Sequence, residues 1–146
     1  MALGVLILLA AMIIPTIGPM RRQGRMRVGA ATVAESLRLA RSLAIAHSSV
    51  YKIDFETAAD PDEVRIYSGT GDKDHYDRLE KLPADVRFQG ALPIAGAVCF
   101  YADGSCSGNF TVRVQDAKAV AGAHVDNRSI EIKAASGRIA VSGGAR

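Results

Sequence analysis

The chain has 146 residues, of which 49% are hydrophobic and 23% charged, a balance that suits one folded domain and excludes a disordered segment. Its two cysteines, Cys99 and Cys106, are too few for a four-thiolate zinc module, and no histidine pair at ligand spacing lies near them. The net charge of +3 hides a division: Arg21 to Ser48 hold six arginines against Glu35, while the chain from Ser49 onward has twelve basic and fourteen acidic residues, which weakens a nucleic-acid reading of the basic balance.

From Met1 to Gly18 there is no charged side chain, and Val5, Leu6, Leu8, Leu9, Ile13 and Ile14 make the run almost wholly aliphatic up to Pro15. Eighteen helical residues span about 27 Å, just short of a bilayer core of about 30 Å. A cleaved signal peptide needs a basic region before the apolar stretch and a small-x-small site after it, and the sequence has neither, so a retained membrane helix is expected. Pro15 and Pro19 each remove a backbone donor and should kink or thin this helix locally.

Beyond them Val33, Leu37, Ala40 and Ala44 recur at spacings of 4, 3 and 4, which puts them on one helical face, with Glu35, Arg38 and Arg41 on others. The helix should fade near His47 to Ser49. There the period becomes two: Tyr51, Ile53 and Phe55; Val64 and Ile66; Val86 and Phe88; Val98 and Phe100; Phe110, Val112 and Val114; Ile130 and Ile132; Ile139 and Val141. Turn chemistry separates these runs at Asp60-Pro61-Asp62, Ser68-Gly69-Thr70-Gly71, Leu82-Pro83, Asp103-Gly104 and Ser136-Gly137. The expected fold class is α+β: a long N-terminal helix packed on a C-terminal antiparallel sheet or sandwich of about seven or eight strands. The expected division is 1–20 as the membrane half of the helix, 21–48 as its soluble half, and 49–146 as a β-rich head.

The proline-bearing apolar helix, the helix end Ser36-Leu37-Arg38-Leu39-Ala40-Arg41-Ser42-Leu43-Ala44-Ile45-Ala46, the Phe100-Tyr101-Ala102-Asp103-Gly104-Ser105 hairpin followed by Gly108, and the Ile130-Glu131-Ile132 and Gly137-Arg138-Ile139 strands together resemble the GspH/FimT type of minor pseudopilin. The resemblance covers nearly the whole chain and implies a pilin-like, non-catalytic structural subunit without a cofactor. Such proteins are made as single-pass precursors in the bacterial inner membrane, are processed and methylated by a prepilin peptidase, and keep the head domain in the periplasm. They assemble with other pseudopilins or pilins, through the N-terminal helix, into the periplasmic filament of a type II secretion system or a type IV pilus. Neighbouring subunits can then replace lipid around an apolar helix.

The family's leader ends in Gly, followed by an aromatic or apolar residue, Thr, Leu and a Glu at the fifth mature position, whereas Met1 here begins inside the apolar run. A truncated or misplaced start is therefore expected, with a basic leader and that glutamate encoded upstream. Arg21, Arg22, Arg25 and Arg27 by themselves favour a cytoplasmic head, but a leader would carry the opposing basic residues, so the family's periplasmic orientation is expected. The arginine cluster reads either as a contact to lipid phosphates or acidic neighbours, or as a solvated collar.

A two-residue Asp103-Gly104 turn would pair Tyr101 with Cys106 and Cys99 with Gly108, leaving the cysteines diagonal on one face at about 7 to 8 Å, beyond bridging range. A bulge or wider loop would close a disulfide between Cys99 and Cys106; the competing reading is two small buried residues. Nothing activates a catalytic thiol, His47, His75 and His124 are scattered, and no serine sits in a nucleophile elbow. Asp72-Lys73-Asp74-His75-Tyr76-Asp77 lacks the glycine and twelfth-position acid of a calcium loop and reads as solvated.

The alternative function is DNA binding in natural transformation. Some relatives resemble this chain and bind DNA through a C-terminal Gly-Arg-x-Arg segment; here the match is Gly137-Arg138-Ile139-Ala140, with Ala in place of the second arginine. Arg138, Arg128 and Lys133 are the candidate phosphate contacts.

Overall fold

The computed structural model describes residues 17–69, 75–118 and 127–143. Among these residues one helix, α1 (Ile17–Ala46), precedes β1 (Tyr51–Glu56), β2 (Glu63–Ser68), β3 (Arg78–Lys81), β4 (Val86–Gln89), β5 (Val98–Phe100), β6 (Phe110–Asp116), β7 (Asn127–Ile132) and β8 (Ile139–Gly143). The eight strands form two four-stranded antiparallel sheets, ordered β3-β2-β1-β5 and β4-β6-β7-β8. The expected α+β architecture, a long helix on about eight antiparallel strands, is the one observed.

The helix forms because its apolar stripe has somewhere to go. Met26, Ala30, Val33, Leu37, Ala40 and Ala44 are buried in one core with the inward residues of both sheets: Ile53, Val64, Ile66, Val98 and Phe100 from the first, Val86, Phe88, Val112, Val114, Ile130 and Ile132 from the second. Registers such as Ile53↔Ile66 and Val112↔Ile130 keep these side chains on a common face. Phe55 and Phe88 meet edge to face across the two sheets at 5.4 Å. Pro19 lies within α1 and does not interrupt it.

The helix stops through a Schellman arrangement. The N–H of Ser49 reaches the carbonyl of Ala44 at 3.1 Å and that of Ser48 reaches Ile45 at 3.3 Å, with Ser48 in the left-handed region at φ 48°. This matches the fading expected at His47 to Ser49.

Three features depart from the expected pattern. β3 has a single apolar residue, Leu79, and gave no alternating signal; it is an edge strand paired only with β2, whose charges suit an edge exposed to water. Asp54 and Tyr67, on the outward positions of β1 and β2, are nevertheless buried, because the loop leading to β5 folds back so that the Gly96 N–H donates to Asp54 while the Tyr67 hydroxyl donates to the same carboxylate at 3.1 Å.

The hairpin after β5 is the third. Instead of a two-residue turn, Tyr101 and Ser105 flank a three-residue loop: the N–H of Gly104 bonds to the Tyr101 carbonyl at 2.8 Å, that of Tyr101 to the Ser105 carbonyl at 3.0 Å, and Gly104 adopts φ 79°. Asp103 shapes the loop by accepting from the Ser105 N–H at 2.9 Å and its hydroxyl at 2.6 Å. The register moves by one residue, so Phe100 opposes Cys106 and Cys99 hydrogen-bonds across to Ser107.

Candidate assembly interface

The two faces of α1 divide sharply. Its buried stripe is seated against the sheets, closely enough at Gly29 that a Cβ there would stand 2.8 Å from Val86 Cγ1. On the other side Arg27, Val28, Ala31, Glu35, Arg38, Ser42 and Ile45 are exposed. Val28 and Ile45, at opposite ends of this stretch, keep 56% and 48% of their surface in water.

Polar contacts fix the helix to the head near both ends. Arg25 pairs with Asp85 at 3.4 Å, and Lys118 holds the same carboxylate at 2.9 Å. The hydrogen bond from Lys118 keeps the Asp85 carboxyl below its ordinary pKa, with the charges of Lys118, Arg25 and Arg87 adding to it and partial burial opposing. At the other end Arg41 Nε donates to the Gly104 carbonyl at 2.9 Å, and its Nε and Cδ lie against Gly137, which has φ 56°. The sequence reading placed Arg41 merely off the apolar stripe and missed this role; the Asp-Gly and Ser-Gly turns that receive it were its only signal.

The candidate helix residues Val5, Leu6, Leu8, Leu9, Ile13, Ile14 and Pro15 lie outside the described residues. Among the described residues no helix is long and apolar enough to cross a membrane. Of the basic cluster, Arg25 is engaged with the head, while Arg21 and Arg27 are exposed.

Cys99 and Cys106 are free thiols. The one-residue change of register puts them on opposite faces of the hairpin: Cys106 is buried beside Phe100, while the Cys99 thiol donates to the Gly96 carbonyl at 3.1 Å. Burial pushes the Cys99 thiol above its ordinary pKa.

The candidate phosphate contacts are not brought together. Lys133 and Arg138 are exposed and adjoin in one turn, where the Lys133 N–H bonds to the Arg138 carbonyl at 3.0 Å. Arg128 stands five residues away along β7, about 17 Å; its stem folds against Gly143, and its Nε is buried with no hydrogen-bond partner among the described residues. His47 and His75 are exposed, His124 lies outside the described residues, and Asp72 and Asp74 do also. Among the described residues no three His, Cys, Asp or Glu side chains stand together as a metal site.

A cleft of about 190 Å³ between α1 and β3 is lined by Thr32, Glu35, Ser36, Leu39, Arg78 and Glu80. Arg78 and Glu80 pair with each other at 3.0 Å, and the Ser36 hydroxyl donates to the Thr32 carbonyl one turn back, so no side chain there is set up as an activated nucleophile.

No family model matches the sequence, and no curated protein is significantly similar to it. Solved structures are similar in fold. The minor pseudopilin EpsH from the type 2 secretion system of Vibrio cholerae superposes with a TM-score of 0.57 at 13% identity, over 82% of this chain and 97% of that one. The type IV minor pilin FimU of Pseudomonas aeruginosa superposes with TM-scores of 0.62 and 0.59 in two crystal forms, at 18% identity, over 85% and 80% of this chain and 92% and 91% of those. The chain therefore has the fold of the GspH/FimT-type minor pseudopilins and minor pilins.

Proposed function

We propose that the protein is a minor pseudopilin or minor pilin: a non-catalytic subunit held by its N-terminal helix in the bacterial inner membrane, with its head in the periplasm, and assembled through that helix into the filament of a type II secretion system or a type IV pilus. The observation that carries this reading is the bipartite helix. One face of α1 is locked into the head core and tethered near both ends, so the head sits at a fixed angle to the helix, while the opposite face, with Val28 and Ile45, is left uncovered. The aliphatic run from Val5 to Ile14 precedes this rigid stalk in sequence. Such a run rests in lipid alone and among other apolar helices after assembly, an exchange that costs little because both surroundings are apolar. The similarity in fold to EpsH and FimU supports the same role.

Processing and methylation by a prepilin peptidase belong to this reading. The test is cysteine crosslinking in the native host, with single cysteines placed at Leu9 and Ile13. Membrane-fraction adducts with other helix-bearing subunits are expected, together with impaired secretion or pilus formation when the gene is deleted. A protein confined to the soluble fraction, with no such adducts, overturns the reading.

DNA uptake is the second reading, and what favours it is the exposed Lys133 and Arg138 pair. It has less support: Arg128 is folded away from that pair, and Ala140 stands where a second arginine would extend it.

A further inference from the structure

The end of α1 and two turns meet in one corner. Arg41 reaches Gly104 of the hairpin loop and touches Gly137 of the turn between β7 and β8; the Cys106 N–H bonds to the Ala134 carbonyl at 2.8 Å, joining the two turns directly. Four cations come with these segments, Arg38 and Arg41 from the helix and Lys133 and Arg138 from the turn, against one exposed carboxylate in the hairpin loop, Asp103, which is engaged by the Ser105 N–H and hydroxyl. None of the four cations enters an ion pair among the described residues. Arg87, by contrast, is neutralised by Asp60 and Asp62, and Arg65 by Glu56 and Glu63.

The same corner exposes apolar surface. Ile45 and Tyr101 are among the few large hydrophobic side chains left open, the latter at 41%, and Ile45 Cδ1 lies 3.0 Å from where a Gly104 Cβ would stand. Arg38, Arg41, Ser42 and Ile45 line a groove of about 230 Å³ at this end of the helix. Arginines set around an aromatic and an aliphatic anchor have the composition of a protein-binding hot spot rather than of a solvated collar.

We propose that this corner docks an acidic, partly apolar segment of a neighbouring protein subunit, its carboxylates meeting Arg38, Arg41, Lys133 and Arg138 and its apolar side chains covering Ile45 and Tyr101. Position selects against lipid headgroups: the helix residues of the corner, Arg38 to Ile45, lie about 32 to 42 Å along α1 from Ile17 at 1.5 Å per residue. That placement rests on the subunit reading; the pattern of charge and apolar surface does not. Pattern selects against a duplex, whose phosphates need a longer cationic track than this corner offers with Arg128 about 17 Å away.

The test uses the full chain in detergent and fluorescence anisotropy with a labelled peptide of four glutamates interleaved with leucine and phenylalanine. Micromolar binding is expected, weakened about tenfold when glutamine replaces glutamate, about tenfold in the Arg38→Glu/Arg138→Glu double variant, and several-fold by added salt. Both substituted side chains are exposed and without ion pairs, so circular dichroism of the variant should match the parent. Absence of peptide binding, or binding unchanged in the double variant, overturns the proposal. A 20-base-pair duplex that binds more tightly than the peptide and is lost in the same variant overturns it in favour of nucleic acid. Loss of the Leu9 and Ile13 crosslinks would sink the filament reading and leave the peptide result standing.

Discussion

Arg41 Nε and the Gly104 carbonyl, 63 residues apart in sequence, are joined at 2.9 Å, and the turn residue Gly137 is packed against both. A Cβ at Gly137 would stand 2.1 Å from the Gly104 oxygen and 2.9 Å from Arg41 Nε, at a φ of 56° that L side chains rarely adopt. The helix end, the hairpin and the last strand connection are therefore fixed by one three-way contact.

Gly137→Ala is expected to cost about 2 to 3 kcal/mol, from strain plus a forced backbone shift. Arg41→Ala should cost about 1 kcal/mol for one part-buried hydrogen bond. Because both changes strike the same contact, the double variant should cost less than their sum. Thermal unfolding of the full chain in detergent measures all three; strict additivity would show that the contact does not act as a unit.

Ser48 occupies the left-handed position of the Schellman cap, where a Cβ is disfavoured. Ser48→Gly should therefore stabilise the protein by about 0.5 to 1 kcal/mol, the relief of the Cβ exceeding the added entropy of the unfolded chain. Chemical denaturation at constant m-value checks the sign.

The parts of the fold that were legible in the sequence are those where side-chain period alone decides. Val33, Leu37, Ala40 and Ala44 repeat at helical spacing and all end in the core, and Val112, Val114, Ile130 and Ile132 alternate and do likewise. What was not legible depends on contacts distant in sequence. Asp54 and Tyr67 look outward by period and are buried only because a loop some thirty to forty residues on folds over them. Val141 alternates correctly, yet stays exposed on the edge strand β8. At the candidate interface, the exposed Lys133 and Arg138 pair was visible as residue types, while the apolar run from Val5 to Ile14 lies outside the described residues. The junction at Arg41 was not visible, since an arginine off the apolar stripe looks the same whether it faces water or a carbonyl.

The hairpin register gives a chemical prediction for the cysteines. With Cys99 and Cys106 on opposite faces, no bond between them is expected even in protein isolated from an oxidising compartment. Mass spectrometry after alkylation in denaturant should find two adducts without prior reduction. In the native state Cys99 should react slowly at pH 8, since burial raises its pKa and leaves little thiolate. A single species protected from alkylation until reduced would contradict the register.

Asp62 is the most exacting carboxylate in the head. Almost fully buried, it accepts from Arg87 Nη1 at 2.9 Å and from the Phe88 N–H at 2.7 Å, while Asp60 takes the other arm of Arg87 at 2.5 Å. This clamp ties the connection before β2 in one sheet to β4 in the other. Asp62→Ala leaves the buried Phe88 N–H without its acceptor and removes one of the two carboxylates on Arg87, which keeps Asp60, and should cost about 2 to 3 kcal/mol. Asp60→Ala, on the exposed arm, should cost under about 1 kcal/mol. Equal losses on denaturation would show that burial is not what sets the difference.

The tether between α1 and the head through Asp85 should respond to acid. Its carboxyl is held below the ordinary aspartate pKa in the folded protein by the Lys118 hydrogen bond and the charges of Lys118, Arg25 and Arg87. A depressed folded pKa means that the stabilisation is fully present above the unfolded value of about 3.9 and is lost as pH falls through the lower folded value. Asp103, lowered by its hydrogen bonds from Ser105, acts in the same direction at the hairpin. Melting temperature should therefore drop between pH 5 and pH 2 in the parent protein and drop less in Asp85→Asn, which has already lost the charge-dependent part. At pH 7 Asp85→Asn is the less stable of the two, and the gap closes as Asp85 is protonated. If the two proteins traced parallel curves over that range, Arg25 and Lys118 would not be holding the carboxylate in its charged form.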